Sequence, residues 1–268
     1  MIQTSKFALE SDGEVLDVTL VEPAHEDDDD QSEYEGGDAG PARSTVLIMH
    51  GAGTASQQRM LPLAEDFARR GHTAVVFDFS GHGQSTGQLP DLSLRRRRDQ
   101  ARSVVERVVA ADSPLLLLGF SMSGQTVADL VDVYGERITT IGLFSPAVYD
   151  AAAWDVPFGA GFTDLIRRPD SWRDTHALAS LAGFRGRAVL VLPERDDVIP
   201  PDVTRLLAQT LQNRPEAEFR ELRITGSAHQ LGLWLAEHPQ DRAAVVDAFV
   251  MDAVITSTHP AVPVHPVA

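Results

Sequence analysis

The sequence predicts the α/β class: one domain over 1–268 with a mostly parallel central sheet, helices on both faces and an antiparallel hairpin at the start. Two observations predict it. From residue 44 onward, short apolar runs of strand length alternate with amphipathic stretches of helix length. Three of the strand-length segments end in loops that present, in chain order, a serine, an aspartate and a histidine. A content of 43% hydrophobic and 23% charged residues is that of an ordinary globular chain, and 268 residues suffice for a substantial core.

The elements follow in order. Phe7-Ala8-Leu9 and residues 15–21 pair around the turn Ser11-Asp12-Gly13. Residues 22–42 carry Asp27-Asp28-Asp29-Asp30 and Gly36-Gly37 with almost nothing apolar, so burial cannot offset their ordering entropy. They read as a solvated, flexible acidic insertion, and the aspartates lack the glycine and spacing of a calcium loop. Thr45-Val46-Leu47-Ile48-Met49 is a buried strand that ends in His50-Gly51-Ala52-Gly53. A helix over 57–70 places Leu61, Ala64, Phe67 and Ala68 on one face, and Gly71 ends it. Residues 73–77 form the next strand. A helix over 92–110 buries Val104, Val105, Val108 and Val109. Near its start, Arg95-Arg96-Arg97-Arg98 reads as an anion site or a solvated helix face, and such runs favour the solvated face.

Pro114-Leu115-Leu116-Leu117-Leu118 is a strand that runs into Gly119-Phe120-Ser121-Met122-Ser123-Gly124 and a helix over 122–134. A serine on a tight turn between a buried strand and a helix is the geometry of a nucleophile elbow. The turn strains the serine backbone and needs small residues two positions to either side. Gly119 meets that need; Ser123 stands where glycine is usual, with Gly124 one step later. Alone, so short a pattern also fits a strand that merely ends in a small-residue turn. Residues 138–144 form another strand. The run 188–192 then empties into Pro193-Glu194-Arg195-Asp196-Asp197-Val198-Ile199-Pro200, and the strand over 218–224 into Thr225-Gly226-Ser227-Ala228-His229. A last helix spans 241–253, and the proline-rich 255–268 reads as a disordered tail.

Five segments together, "LIMHGAG", "FDFSGHGQS", "GFSMSG", "PERDDVIP" and "GSAHQLG", resemble the α/β-hydrolase superfamily, in its esterase and serine aminopeptidase-like branch. The resemblance covers roughly residues 44–250. It implies the α/β-hydrolase fold with a short helical lid over 146–186. It implies Ser121 as nucleophile, His229 as base and Asp196 as the acid that orients it, with backbone N–H groups of Ala52 and Met122 as the oxyanion hole. Asp196 matches the family's Gly-x-x-Asp-x-x-Val-Pro pattern, with Pro193 in place of the glycine. Asp197 is the adjacent rival, and Asp150, after the preceding strand, ranks third. Ser123 is the lesser candidate for nucleophile. Trp154, Phe158, Phe162 and Trp172 in the lid are expected to line an apolar acyl pocket, with the alternative that Trp154 and Trp172 only anchor the excursion to the core.

His50 is expected to shape the oxyanion loop, and His82 and Asp78 to hold the loop after their strand. The function implied is hydrolysis of a small-molecule carboxylic ester or thioester through an acyl-enzyme. An aminopeptidase-like amidase, an acyltransferase on the same scaffold and a non-catalytic binding member are the alternatives. With His229 as base, activity is expected to fall below pH ~6.5, where imidazole takes a proton. No cofactor is expected: there is no phosphate-cradling glycine loop, no cysteine, and no metal-ligand spacing among His25, His176, His238, His259 and His265. A net charge of −16 disfavours nucleic acid as partner. Lys6 is the sole lysine, and so acidic a surface also suits a high-salt medium. No leader pattern and no apolar run of the ~18 residues a bilayer needs points to a cytoplasmic protein without a membrane partner.

Overall fold

The structure, a computed structural model, describes residues 1–24, 44–215 and 218–250. The greater part of the acidic insertion and the whole proline-rich tail lie outside the described residues. Eight strands form one sheet: β1 (Ile2–Ser11), β2 (Glu14–Pro23), β3 (Thr45–Met49), β4 (Thr73–Phe77), β5 (Leu115–Phe120), β6 (Ile138–Phe144), β7 (Arg187–Pro193) and β8 (Phe219–Ile224). Their spatial order is β1-β2-β4-β3-β5-β6-β7-β8. The β1–β2 hairpin is antiparallel and joins β4 antiparallel; every other pairing is parallel. The hairpin turns on Asp12 and Gly13, both at positive φ (52° and 76°), as a two-residue turn between twisted strands demands. Glu22 and Pro23, expected in the insertion, close β2.

The helices are α1 (Leu61–Arg69), α2 (Leu94–Val108), α3 (Ser123–Tyr134), α4 (Thr163–Ile166), α5 (Ala177–Gly183), α6 (Pro201–Gln212), α7 (Leu231–Glu237) and α8 (Pro239–Val250). Because β3 and β5 are covered on both faces, their residues are buried without alternation. One core joins the sheet to α2, α3, α5 and α6 through residues such as Val104, Leu130, Leu181 and Leu207. The other joins it to α1, α7 and α8 through Phe67, Leu235 and Phe249. α6 and α7 are additional to the elements read from the sequence. α2 begins at Leu94, later than expected, because Ser93 caps it: its hydroxyl accepts the Arg96 N–H at 3.2 Å.

Between β6 and β7 the chain makes only short helical pieces, the single turns Ala151–Ala153, Phe158–Phe162 and Ser171–Asp174 together with α4 and α5. α5 is tied to α3 by a polar cluster: His176 Nε2 lies 2.7 Å from Asp129 Oδ1, which also accepts from Gln125 Nε2 at 2.8 Å.

Candidate active site

Ser121 sits between β5 and α3 at φ 51°, a left-handed conformation that costs a non-glycine residue roughly 1–3 kcal/mol. Backbone bonds hold it there. Its N–H donates to the Phe144 carbonyl at 2.8 Å, and its own carbonyl accepts from Gly124 and Ala147, each at 2.9 Å. The close approach of strand and helix explains Gly119: a Cβ there would lie 2.3 Å from the Ser123 carbonyl oxygen.

Ser121 Oγ lies 3.0 Å from His229 Nε2. On the other side of the ring, His229 Nδ1 lies 3.0 Å from each carboxylate oxygen of Asp196. Asp196 Oδ1 also accepts the N–H groups of Val198 and Ile199, each at 2.9 Å. Burial pushes this carboxyl up, but the bonds from His229, Ile199 and Val198 outweigh it and hold Asp196 below the usual carboxylate range. Thus three strand ends bring Ser121, Asp196 and His229 into one hydrogen-bonded line. Asp197 is exposed. Asp150 is engaged elsewhere, capping the turn Ala151–Ala153 by accepting the Ala152 N–H at 2.8 Å.

The loop after β3 passes directly over the serine. A Cβ on Gly51 would lie 3.2 Å from Ser121 Cβ. Neither the Ala52 nor the Met122 N–H is taken by an acceptor among the described residues. His50, fully buried, orders this loop. Its Nε2 accepts the Phe79 N–H at 3.1 Å, so Nδ1 carries the proton and donates to the Gly51 carbonyl at 2.6 Å. Burial, then the charges of Arg97 and His82, hold its pKa well below the ordinary imidazole value, so it is neutral. Asp78 ties down the following loop by accepting from Gln57 N at 2.7 Å and from Gln84 N at 3.2 Å. His82 is buried, its Nδ1 3.1 Å from the Ser80 carbonyl.

Two expectations are corrected. The run Arg95 to Arg98 is not a uniformly solvated face, since Arg97 is 0% exposed. Its Nη2 donates to the His50 carbonyl and to Ser123 Oγ, both at 2.8 Å, and its guanidinium lies 3.7 Å from the centroid of the Phe79 ring. Burial pushes its pKa down to about 9. The helical phase carries the signal: Leu94, Arg97, Ala101 and Val104 recur at the spacing of the buried face. Ser123, in turn, is fully buried and donates its hydroxyl to the His50 carbonyl at 2.7 Å, which removes it from any attack on substrate.

The second correction concerns the pocket. The cavity at Ser121, about 280 Å³, is lined by Thr54, Arg59, Met60, Phe120, Phe144, Leu231 and Leu233 beside Ala52 and His229. Trp154, Phe158, Phe162 and Trp172 do not line it. Trp154, Phe158 and Phe162 pack with Leu94, Met122 and Ala153, and Trp172 packs against the main core. Burial of the excursion's own apolar side chains therefore takes them, for Trp154 and Trp172 as the anchoring alternative holds. Sequence reasoning missed Arg59, Met60, Leu231 and Leu233; the last two follow His229 directly and could have been read from that proximity. Among the described residues no group of three or more His, Cys, Asp or Glu is placed to hold a metal ion.

The parallel sheet, the strained serine turn and the lined-up Ser, His and Asp define the α/β-hydrolase class. The family model described as serine aminopeptidase, S33, matches residues 40–168. Similar solved structures include the thioesterase domain from the curacin biosynthetic pathway, at 15% identity and TM-score 0.65 over 91% of this chain and 99% of that one. Est1E of Butyrivibrio proteoclasticus, solved with ferulic acid bound, has 15% identity and TM-score 0.63 over 89% and 97%. A Pyrococcus furiosus esterase has 17% identity and TM-score 0.59 over 92% of each chain. At such identities the likeness is one of fold. No curated protein matches the chain in sequence.

Proposed function

We propose that the chain is a serine hydrolase that cleaves a small-molecule carboxylic ester or thioester through an acyl-enzyme. The observation that carries this is the unbroken line from Ser121 Oγ through both nitrogens of His229 to Asp196, with 3.0 Å at each step. A neutral hydroxyl needs such a base to become a nucleophile, and the base needs an acid to fix its tautomer. Ser121 Oγ bonds to the substrate carbonyl carbon as its proton passes to His229 Nε2. The imidazolium, stabilised by Asp196, then gives that proton to the leaving oxygen or sulfur as the bond to it breaks. Water repeats the sequence with His229 as base and frees the acid. The N–H groups of Ala52 and Met122 receive the oxyanion; losing one such donor costs roughly 100- to 1000-fold in rate.

The test is fluorophosphonate labelling of the wild type beside Ser121→Ala, with turnover of p-nitrophenyl esters. Labelling and turnover that vanish in Ser121→Ala support the reading; a folded wild type that takes no label and turns over no ester refutes it. A second reading, an aminopeptidase-like amidase, draws support from the serine aminopeptidase family model. Faster cleavage of an aryl amide than of its matched ester favours it.

A further inference from the structure

The cavity at Ser121 carries one arginine and no carboxylate: Arg59, on the turn before α1. In a chain of net charge −16, where arginines such as Arg69, Arg70 and Arg96 each hold an acid, Arg59 has no carboxylate within 4.0 Å among the described residues. Its contacts are Gln230 Oε1 at 3.3 Å and Thr54 Oγ1 at 3.4 Å, both neutral and long. A guanidinium has five donors in a planar fork that matches a carboxylate side-on, and two neutral acceptors leave that fork largely unused.

A second groove, about 430 Å³, meets the first at His229, Gln230 and Leu233. It contains Asp197, Val198, Trp234 and Glu237, no basic side chain other than His229, and not Ser121. Acyl transfer assigns the two. The acyl group stays bonded to the serine oxygen, so it occupies the cavity that holds Ser121. The leaving group takes its proton from His229, which lines both, so with the acyl group in the first cavity it is assigned the groove that lacks Ser121. The acyl side therefore offers a cation and an apolar wall of Met60, Phe120 and Leu231, and the leaving-group side offers two acids.

We propose that the acyl group ends in an anion: the substrates are monoesters or monothioesters of dicarboxylic acids, with the free carboxylate on Arg59. This rests on the serine-hydrolase reading above. The experiment compares a monoaryl adipate with the aryl hexanoate of equal chain length, in the wild type, Arg59→Gln and Arg59→Lys. In the wild type kcat/KM favours the adipate by about tenfold or more, the worth of one hydrogen bond to a charged group, through KM. Arg59→Gln collapses that ratio and Arg59→Lys retains part of it. Free adipate slows fluorophosphonate labelling of the wild type, an effect lost in Arg59→Gln and readable in the wild type alone should a variant misfold. A wild type that labels at Ser121 yet prefers hexanoate, or keeps its ratio in Arg59→Gln, overturns the inference and leaves the serine-hydrolase reading intact. A folded wild type that neither labels nor turns over either ester overturns both.

Discussion

Arg97 and Ser123 share the His50 carbonyl: the guanidinium and the hydroxyl both donate to it, and Arg97 donates to the hydroxyl as well. The loop after β3, α3 and α2 are thus pinned at one buried point. Two of the three guanidinium nitrogens find no partner among the described residues, so the arrangement holds a desolvated charge for the sake of that point. Arg97→Ala is expected to destabilise by about 2–5 kcal/mol, as removal of a large buried side chain does, and to slow labelling of the folded fraction. Arg97→Lys cannot lie flat on Phe79 and recovers only part of the rate. Urea unfolding and the labelling rate check both, and an Arg97→Ala protein that labels at the wild-type rate contradicts the positioning role.

Ser123→Ala tests the same point more gently. The His50 carbonyl keeps Arg97, so about 1 kcal/mol of stability is lost and labelling persists. Loss of labelling with the fold intact would restore Ser123 as the nucleophile.

The adjacent acids separate cleanly. Asp196→Asn leaves the His229 ring without its anionic partner and is expected to lower kcat by about 10²–10⁴-fold. Asp197→Asn keeps the contact between Asp196 and His229, so its effect is expected in KM through the leaving-group groove, with kcat lowered far less. Steady-state kinetics on one ester decide, and equal losses at both sites would mean that the carboxylate acts only through local charge.

Stability is expected to peak near pH 6.5 because His50, together with His72 and His82, pulls against His176. His50 has a lowered folded pKa, so below about pH 6.5 the unfolded chain takes up the extra proton and stability falls. His176 is raised, chiefly by its bond to Asp129, so its contribution is full below about pH 6.5 and is lost as pH rises through the raised value. Burial pushes Asp129 up while His176 and Gln125 oppose it, which leaves the His176 contact as the alkaline-side sensor. Unfolding free energy measured from pH 5 to 8 should lose its alkaline-side slope in His176→Gln; a slope unchanged in that variant contradicts the assignment.

Salt offers a further check. A formal charge of −16 repels itself, and screening shortens that repulsion to about 3 Å at molar ionic strength. Midpoint temperature is expected to rise between low and molar NaCl; no change would remove self-repulsion as a factor in stability.

Much of this was legible in the sequence where residue type alone forces local geometry. The elbow could be read because only small residues let β5 and α3 approach as Gly119 does. The ends of β3, β5 and β7 could be read because these buried parallel strands are continuous apolar runs. The pocket could not. Whether Trp154 faces the serine or the core depends on how the excursion packs, which no local pattern encodes. Arg97 was hidden for a related reason: in a run of identical residues only the helical phase tells which one points inward.

The sheet order has a consequence for how the protein fails. Ser121 follows β5, deep in the sheet with partners on both sides, whereas His229 follows β8, an edge strand that among the described residues pairs in the sheet only with β7. The charges of Arg220, Glu221 and Arg223 along β8 guard that margin against stray pairing, yet the strand buries little. Its release is a local event of lower free energy than global opening. Heat or denaturant should therefore silence the enzyme while most of its architecture still stands, with recovery on cooling as fast as one strand can zip back into place.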